Sequence, residues 1–147
     1  MKPLLNTTLL FLLVIGFSGG ASGQDFEETK RLAEQGDAPA QNNLGFMYAR
    51  GEGVPEDDVE AVKWYRLAAE QGDATAQTNL GVMYAIGAGL RQNNVRAYAW
   101  FSVAAAQGDE DARSNRDIIS ETLTPEQLAR GQDMATRCFE SDFQDCE

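Results

Sequence analysis

Few side chains in this 147-residue chain are equipped for covalent or acid–base chemistry. Two cysteines, Cys138 and Cys146, lie in the last ten residues. In an exported chain an even pair of thiols reads as a disulfide. Closing so short a loop stabilises by about 2.5 kcal/mol in the chain-entropy picture. The effect is expected to stay local to the terminal helix. Two free thiols or an intermolecular bridge are the alternatives, and two cysteines are too few for a structural zinc site. Histidine is absent. That removes Ser-His-Asp and Cys-His nucleophilic machinery, histidine general bases and the usual catalytic zinc sites.

The remaining polar clusters read as structural. Gly51-Glu52-Gly53 and Gly87-Ala88-Gly89 lack the lysine of a phosphate cradle and sit between two helices rather than after a strand, so they are expected to be interhelical turns. Asp109-Glu110-Asp111 begins like a calcium loop, but the later glycine and glutamate are not at the required offsets. Glu56, Asp57 and Asp58 sit at an expected helix start, where nothing buries them to shift a pKa. No metal site, no cofactor and no catalytic residue is therefore expected.

The elements around these residues repeat. Residues 33–68 and 69–104 form two consecutive 36-residue blocks, identical at twenty positions, and the block begins again at Ala105. Such a period implies stacked supersecondary units, each burying its apolar face on the next. Ala40, Leu44, Met47 and Tyr48 share one helical face, as do Ala76, Leu80, Met83 and Tyr84. Asp37 and Asp73 are suited to cap these helices, and Gly51 and Gly87 to end them. A second helix in each block carries Ala61, Trp64, Tyr65 and Ala68, then Ala97, Trp100, Phe101 and Ala104. The pattern predicts helices at about 25–35, 38–50, 57–71, 74–86, 93–107, 110–121 and 125–139. The last opens with Thr124-Pro125-Glu126-Gln127, a capping-box signature. Gly45 and Gly81 sit mid-helix, where glycine costs roughly 1 kcal/mol against alanine. Repeating that choice predicts a close helix approach beneath an aromatic of the second helix, with Trp64 and Trp100 the expected wedges.

The spacing Leu44-Gly45-x-Met47-Tyr48, Gly51-x-Gly53-Val54, Ala61-x-x-Trp64-Tyr65 and Ala68-Ala69-x-Gln71-Gly72 resembles the Sel-1-like repeat, a relative of the tetratricopeptide repeat. The second block matches through Leu80-Gly81-x-Met83-Tyr84, Gly87-x-Gly89-Leu90, Ala97-x-x-Trp100-Phe101 and Ala104-Ala105-x-Gln107-Gly108. The resemblance implies an all-α fold, a right-handed α-solenoid of antiparallel helix pairs, acting as a protein-interaction scaffold. Some cysteine-rich exported members of that family are associated with penicillin binding and weak β-lactam hydrolysis. This chain departs from them: it has no cysteine pair within each repeat, and no Ser-x-x-Lys or Lys-Thr-Gly. A structural role in an envelope assembly is a further alternative.

Residues 1–23 differ in kind. Lys2 precedes the apolar run Leu9–Ile15 and a small-residue stretch, Ser18–Gly23. This reads as a secretory signal peptide cleaved after Gly23 or Ala21, too short to span a membrane. A periplasmic or secreted protein without membrane insertion is expected. Residues 24–36 are then an N-terminal capping helix, 37–108 two repeats, and 109–147 a degenerate third repeat and C-terminal cap carrying the disulfide. The whole chain has 12 Lys+Arg against 23 Asp+Glu, a net charge of −11. That argues against nucleic acid as partner. A monomer binding a protein or peptide is the expectation.

In tetratricopeptide-like pairs the first helix lines the concave side. Residues off its packing face are Asn42, Phe46 and Arg50, with Thr78, Val82 and Ile86 one repeat later. The two blocks differ at these positions and agree at Leu44, Gly45 and Tyr48 and at Leu80, Gly81 and Tyr84. Divergence there fits a surface adapted to a partner, with Phe46, Val82 and Ile86 as its apolar stripe. The opposing expectation packs Phe46 on the first helix and Ile86 on the cap at 110–121.

Overall fold

The computed structural model describes residues 21–147, so the expected signal peptide, 1–23, lies outside the described residues except for its last three positions. Seven helices follow: α1 (Ala21–Glu34), α2 (Ala38–Arg50), α3 (Asp58–Glu70), α4 (Ala74–Ile86), α5 (Asn94–Ala106), α6 (Glu110–Ser120) and α7 (Pro125–Glu140). Among the described residues there is no strand.

Local chemistry sets the helix ends. Asp37, Asp73 and Asp109 each accept from the backbone N–H three residues on, at 2.8 Å. Asp57 caps α3 through Val59 and Glu60, and Asn93 caps α5 through Arg96. Each side chain satisfies N–H groups that a first turn leaves unpaired. Gly51 and Gly87 adopt left-handed φ of 67° and 69° and return their N–H to Met47 and Met83. A Cβ is disfavoured in that conformation, which accounts for glycine in both copies. The capping box at Thr124 and Gln127 is complete in both directions.

Packing follows chain order. α2 packs on α3 and α4 on α5, α3 joins the two pairs by packing on α4, and α1 covers α2. Leu44, Leu80, Ala61, Ala68, Ala76, Ala97 and Ala104 are completely buried. A cluster around Phe26, Leu44 and Trp64 fills the N-terminal end, and a larger one runs from Ala61 to Cys146. Trp64 is 8% exposed and Trp100 1%. Neither buried indole N–H meets a hydrogen-bond acceptor.

The tryptophans are not the wedges expected over the mid-helix glycines. A Cβ on Gly45 would lie 2.7 Å from Cδ1 of Tyr65, and one on Gly81 2.6 Å from Cε1 of Phe101. The residue after each tryptophan therefore fills the position. Successive helical residues point about 100° apart, so only one of two adjacent aromatics can face the glycine.

The C-terminal region departs from the pair pattern. α6 and α7 both pack on α5. In α6 only Ala112 is buried, because Arg116 and Asp117 stand where α4 has Leu80 and Gly81. α7 reaches α5 through its own glycine: a Cβ on Gly131 would lie 2.7 Å from Cδ1 of Tyr98.

Candidate functional site

The first helices of the two repeats present a shared groove of about 380 Å³. α2 contributes Phe46, Ala49 and Arg50, and α4 contributes Asn79, Val82, Met83 and Ile86. Asp58 and Tyr65 of α3 close one side, and Ala88 one end. Phe46 is 41% exposed and Ile86 67% exposed, so neither is covered by α1 or by the cap helix. Val82 is half-buried against the core. The Arg50 guanidinium stacks over the Phe46 ring, 5.3 Å from its centroid. Burial pushes the Tyr65 hydroxyl up to about 12, the Arg50 charge opposing and the Asp58 charge adding. Tyr65 is thus a neutral hydroxyl at any physiological pH.

Two of the six expected groove residues sit elsewhere. Thr78 is buried, and its hydroxyl donates to the Ala74 carbonyl at 3.0 Å. That back-bond satisfies the hydroxyl within its own helix and leaves nothing for a ligand. Asn42 is half-buried and accepts from Asn79 Nδ2 at 3.0 Å. It ties α2 to α4 beside the groove. The structure therefore brings together Phe46, Arg50, Val82 and Ile86.

A polar joint between repeats went unread in the sequence. Gln41 donates to the Ala33 carbonyl at 3.1 Å and accepts from Gln71 Nε2 at 2.7 Å. One block later, Gln77 donates to the Ala69 carbonyl at 3.1 Å and accepts from Gln107 at 2.6 Å. Gln41 and Gln77 are buried, and the relay satisfies both ends of each amide. The readable signal was glutamine recurring at two repeat positions, Gln41 with Gln77 and Gln71 with Gln107, each pair 36 residues apart.

The two repeat tyrosines have different surroundings. Tyr48 meets Phe26 edge-on, with ring centroids 5.7 Å apart. The Tyr84 hydroxyl instead donates to the Glu147 carboxylate at 2.5 Å. Cys138 and Cys146 are bonded and almost fully buried. The segment they close is not confined to the terminal helix, as expected from sequence. It turns back through Asp142 and Phe143, both with positive φ, and crosses to α3. Phe143 lies against Gly72, and Gln144 Nε2 donates to the Glu70 carbonyl at 3.0 Å. Glu147 pairs with Arg66 of α3 and, at 3.7 Å, with Arg96 of α5.

No helix among the described residues is long and apolar enough to cross a membrane. Among the same residues no group of three or more His, Cys, Asp or Glu side chains is placed to hold a metal ion.

Comparison with known proteins agrees with this architecture. The family described as Sel1 repeat matches residues 38–73 and 74–109. Among solved structures, a protective antigen present in uropathogenic Escherichia coli strains and displaying an SLR fold is 32% identical, with a TM-score of 0.79. The match covers 82% of this chain and 27% of that one. A Sel1 repeat protein from Oxalobacter formigenes is 29% identical with a TM-score of 0.65, over 82% of this chain and 57% of that one. The chain thus spans about a quarter of the first and just over half of the second. Among curated proteins, none matches it. Two matched repeats in tandem, each built on the same capped helix pair with glycine beneath an aromatic, place this chain in the Sel1-repeat family.

Proposed function

We propose that this protein is an exported, non-catalytic binding module that holds a peptide or protein segment in the groove between α2 and α4. The observation that carries this reading is the exposure of Phe46 and Ile86 on one continuous groove. Large apolar side chains left uncovered beside polar ones are the usual composition of a partner site. Arg50, Asn79 and the Tyr65 hydroxyl supply the polar contacts that would orient a bound chain. Phe46 and Ile86 are among the positions where the two blocks differ, which suits a surface shaped by its partner.

Selection of displayed peptides on the full-length protein tests this directly. Enriched peptides should bind the parent and fail on the double variant Phe46→Ser/Ile86→Ser, whose thermal stability should stay nearly unchanged. Peptides that bind both proteins equally would refute the groove. Marked destabilisation would show that these two side chains belong to the core. Export rests on residues 1–23 and is tested by the mass of the protein recovered outside the cytoplasm, which should begin at Ser22 or Gln24. The absence of catalysis is tested by nitrocefin, whose turnover, abolished by a point change, would overturn it.

A further inference from the structure

Outside the groove, three helices aim donors at one carboxylate. Arg66 comes from α3, Tyr84 from α4 and Arg96 from α5, and all converge on Glu147. Arg66 and Arg96 also reach the Tyr84 hydroxyl, at 3.1 and 3.5 Å. Charge-assisted bonds of this kind are the strong class, and two guanidiniums with a hydroxyl suit a carboxylate's four lone-pair sites. The surroundings are unusual for an acidic chain. A cavity of about 290 Å³ continues from Glu147, lined by Arg96, Arg130, Met134 and Arg137. Arg137 is paired with Asp133 and Asp145, but among the described residues Arg130 has no ion-pair partner. The cluster thus holds one carboxylate and has room and charge for another.

We propose that Arg66, Tyr84 and Arg96 form a binding site for an acidic peptide segment, in which Glu147 is the resident intramolecular occupant. The Cys138–Cys146 bridge presents that occupant, because it anchors the residue beside Glu147 in the core. A dithiol reductant would pass two electrons and two protons to the bridge. The S–S bond breaks, two thiols form, and the dithiol closes to its own disulfide. Glu147 then sits on a flexible tether, and a carboxylate from another chain competes on better terms. The reading is independent of the groove and stands or falls separately.

Fluorescence anisotropy on the full-length protein tests it. The probe is a labelled peptide of residues 141–147 carrying Cys146→Ser. Oxidised protein should show negligible binding. Reduced Glu147→Ala should bind at least about tenfold more tightly, and adding Arg66→Gln should return binding to the baseline. No binding to folded, reduced Glu147→Ala, or binding indifferent to Arg66→Gln, overturns the proposal. Where circular dichroism shows that reduction unfolds the variant, the oxidised form decides. Sodium propionate should then raise the melting temperature of Glu147→Ala above sodium chloride at equal ionic strength. The parent and Glu147→Ala/Arg66→Gln should not respond. An equal response in all three overturns the proposal.

Discussion

Replacing Gly81 by alanine sets helix propensity against packing, and the distances decide the outcome. Mid-helix alanine is favoured over glycine by about 1 kcal/mol. The added Cβ would lie 2.6 Å from Cε1 and 2.7 Å from Cδ1 of Phe101, so the ring must retreat by about 0.8 Å to reach ordinary contact. Phe101 is 2% exposed and packed within the main core, which leaves it no free direction. Overpacking of this kind costs about 1–3 kcal/mol, and a confined aromatic falls at the upper end. Net destabilisation of about 1–2 kcal/mol is expected, a fall of roughly 4–8 °C in Tm for a domain of this size. Thermal unfolding followed by circular dichroism, with urea titration for the free energy, reads it. Gly81→Ala/Phe101→Leu should recover part of the loss, because the smaller side chain yields the space. A Tm equal to or above the parent's for Gly81→Ala would refute the close-approach argument.

Three further outcomes are expected. Gln77→Leu should cost about 1–3 kcal/mol in urea unfolding, because it removes the buried amide that joins Ala69 to Gln107; a neutral result would show that the relay is ornamental. Trp100→Ala should cost about 3–5 kcal/mol, but Trp100→Phe much less, since the indole N–H has no acceptor to lose; equal losses would mean an unseen hydrogen bond. For Glu147, burial raises the carboxyl pKa, but hydrogen bonds from Tyr84 and Arg66 and the charges of Arg66 and Arg96 outweigh it and hold the group below 4.5. Its stabilisation is therefore present above the ordinary carboxylate range and lost as pH falls through the lowered value, so the Tm gap between parent and Glu147→Gln should close as pH falls below that range.

Sequence carried the repeat far because its signals are local. An N-cap aspartate and the backbone N–H that donates to it lie three residues apart, and a left-handed glycine marks its own helix end. The two copies then test each other. The wedge over Gly45 was misread because two aromatics stand side by side in each second helix, and only the helix rotation chooses between them. The glutamine relay was hidden by residue class, since glutamine reads as surface unless its partners are known. Thr78 was misplaced for a related reason: its partner is its own helix backbone. The cluster at Glu147 was out of reach in principle. Tyr84 and Glu147 are 63 residues apart, and nothing in either neighbourhood announces the other.

The glutamine joint also defines a unit of growth. Each amide hands one bond back to the preceding helix and takes one from the following turn, so every block opens and closes with the same fitting. Duplicating any 36-residue stretch in step would insert a new unit with its bonds already specified. A duplication out of step by one residue would leave buried amides unanswered. Elongation in whole multiples is thus tolerated and fractional change is not. The fitting is interrupted where an exposed Arg113 takes the place that Gln41 and Gln77 hold, so α6 does not repeat the amide joint.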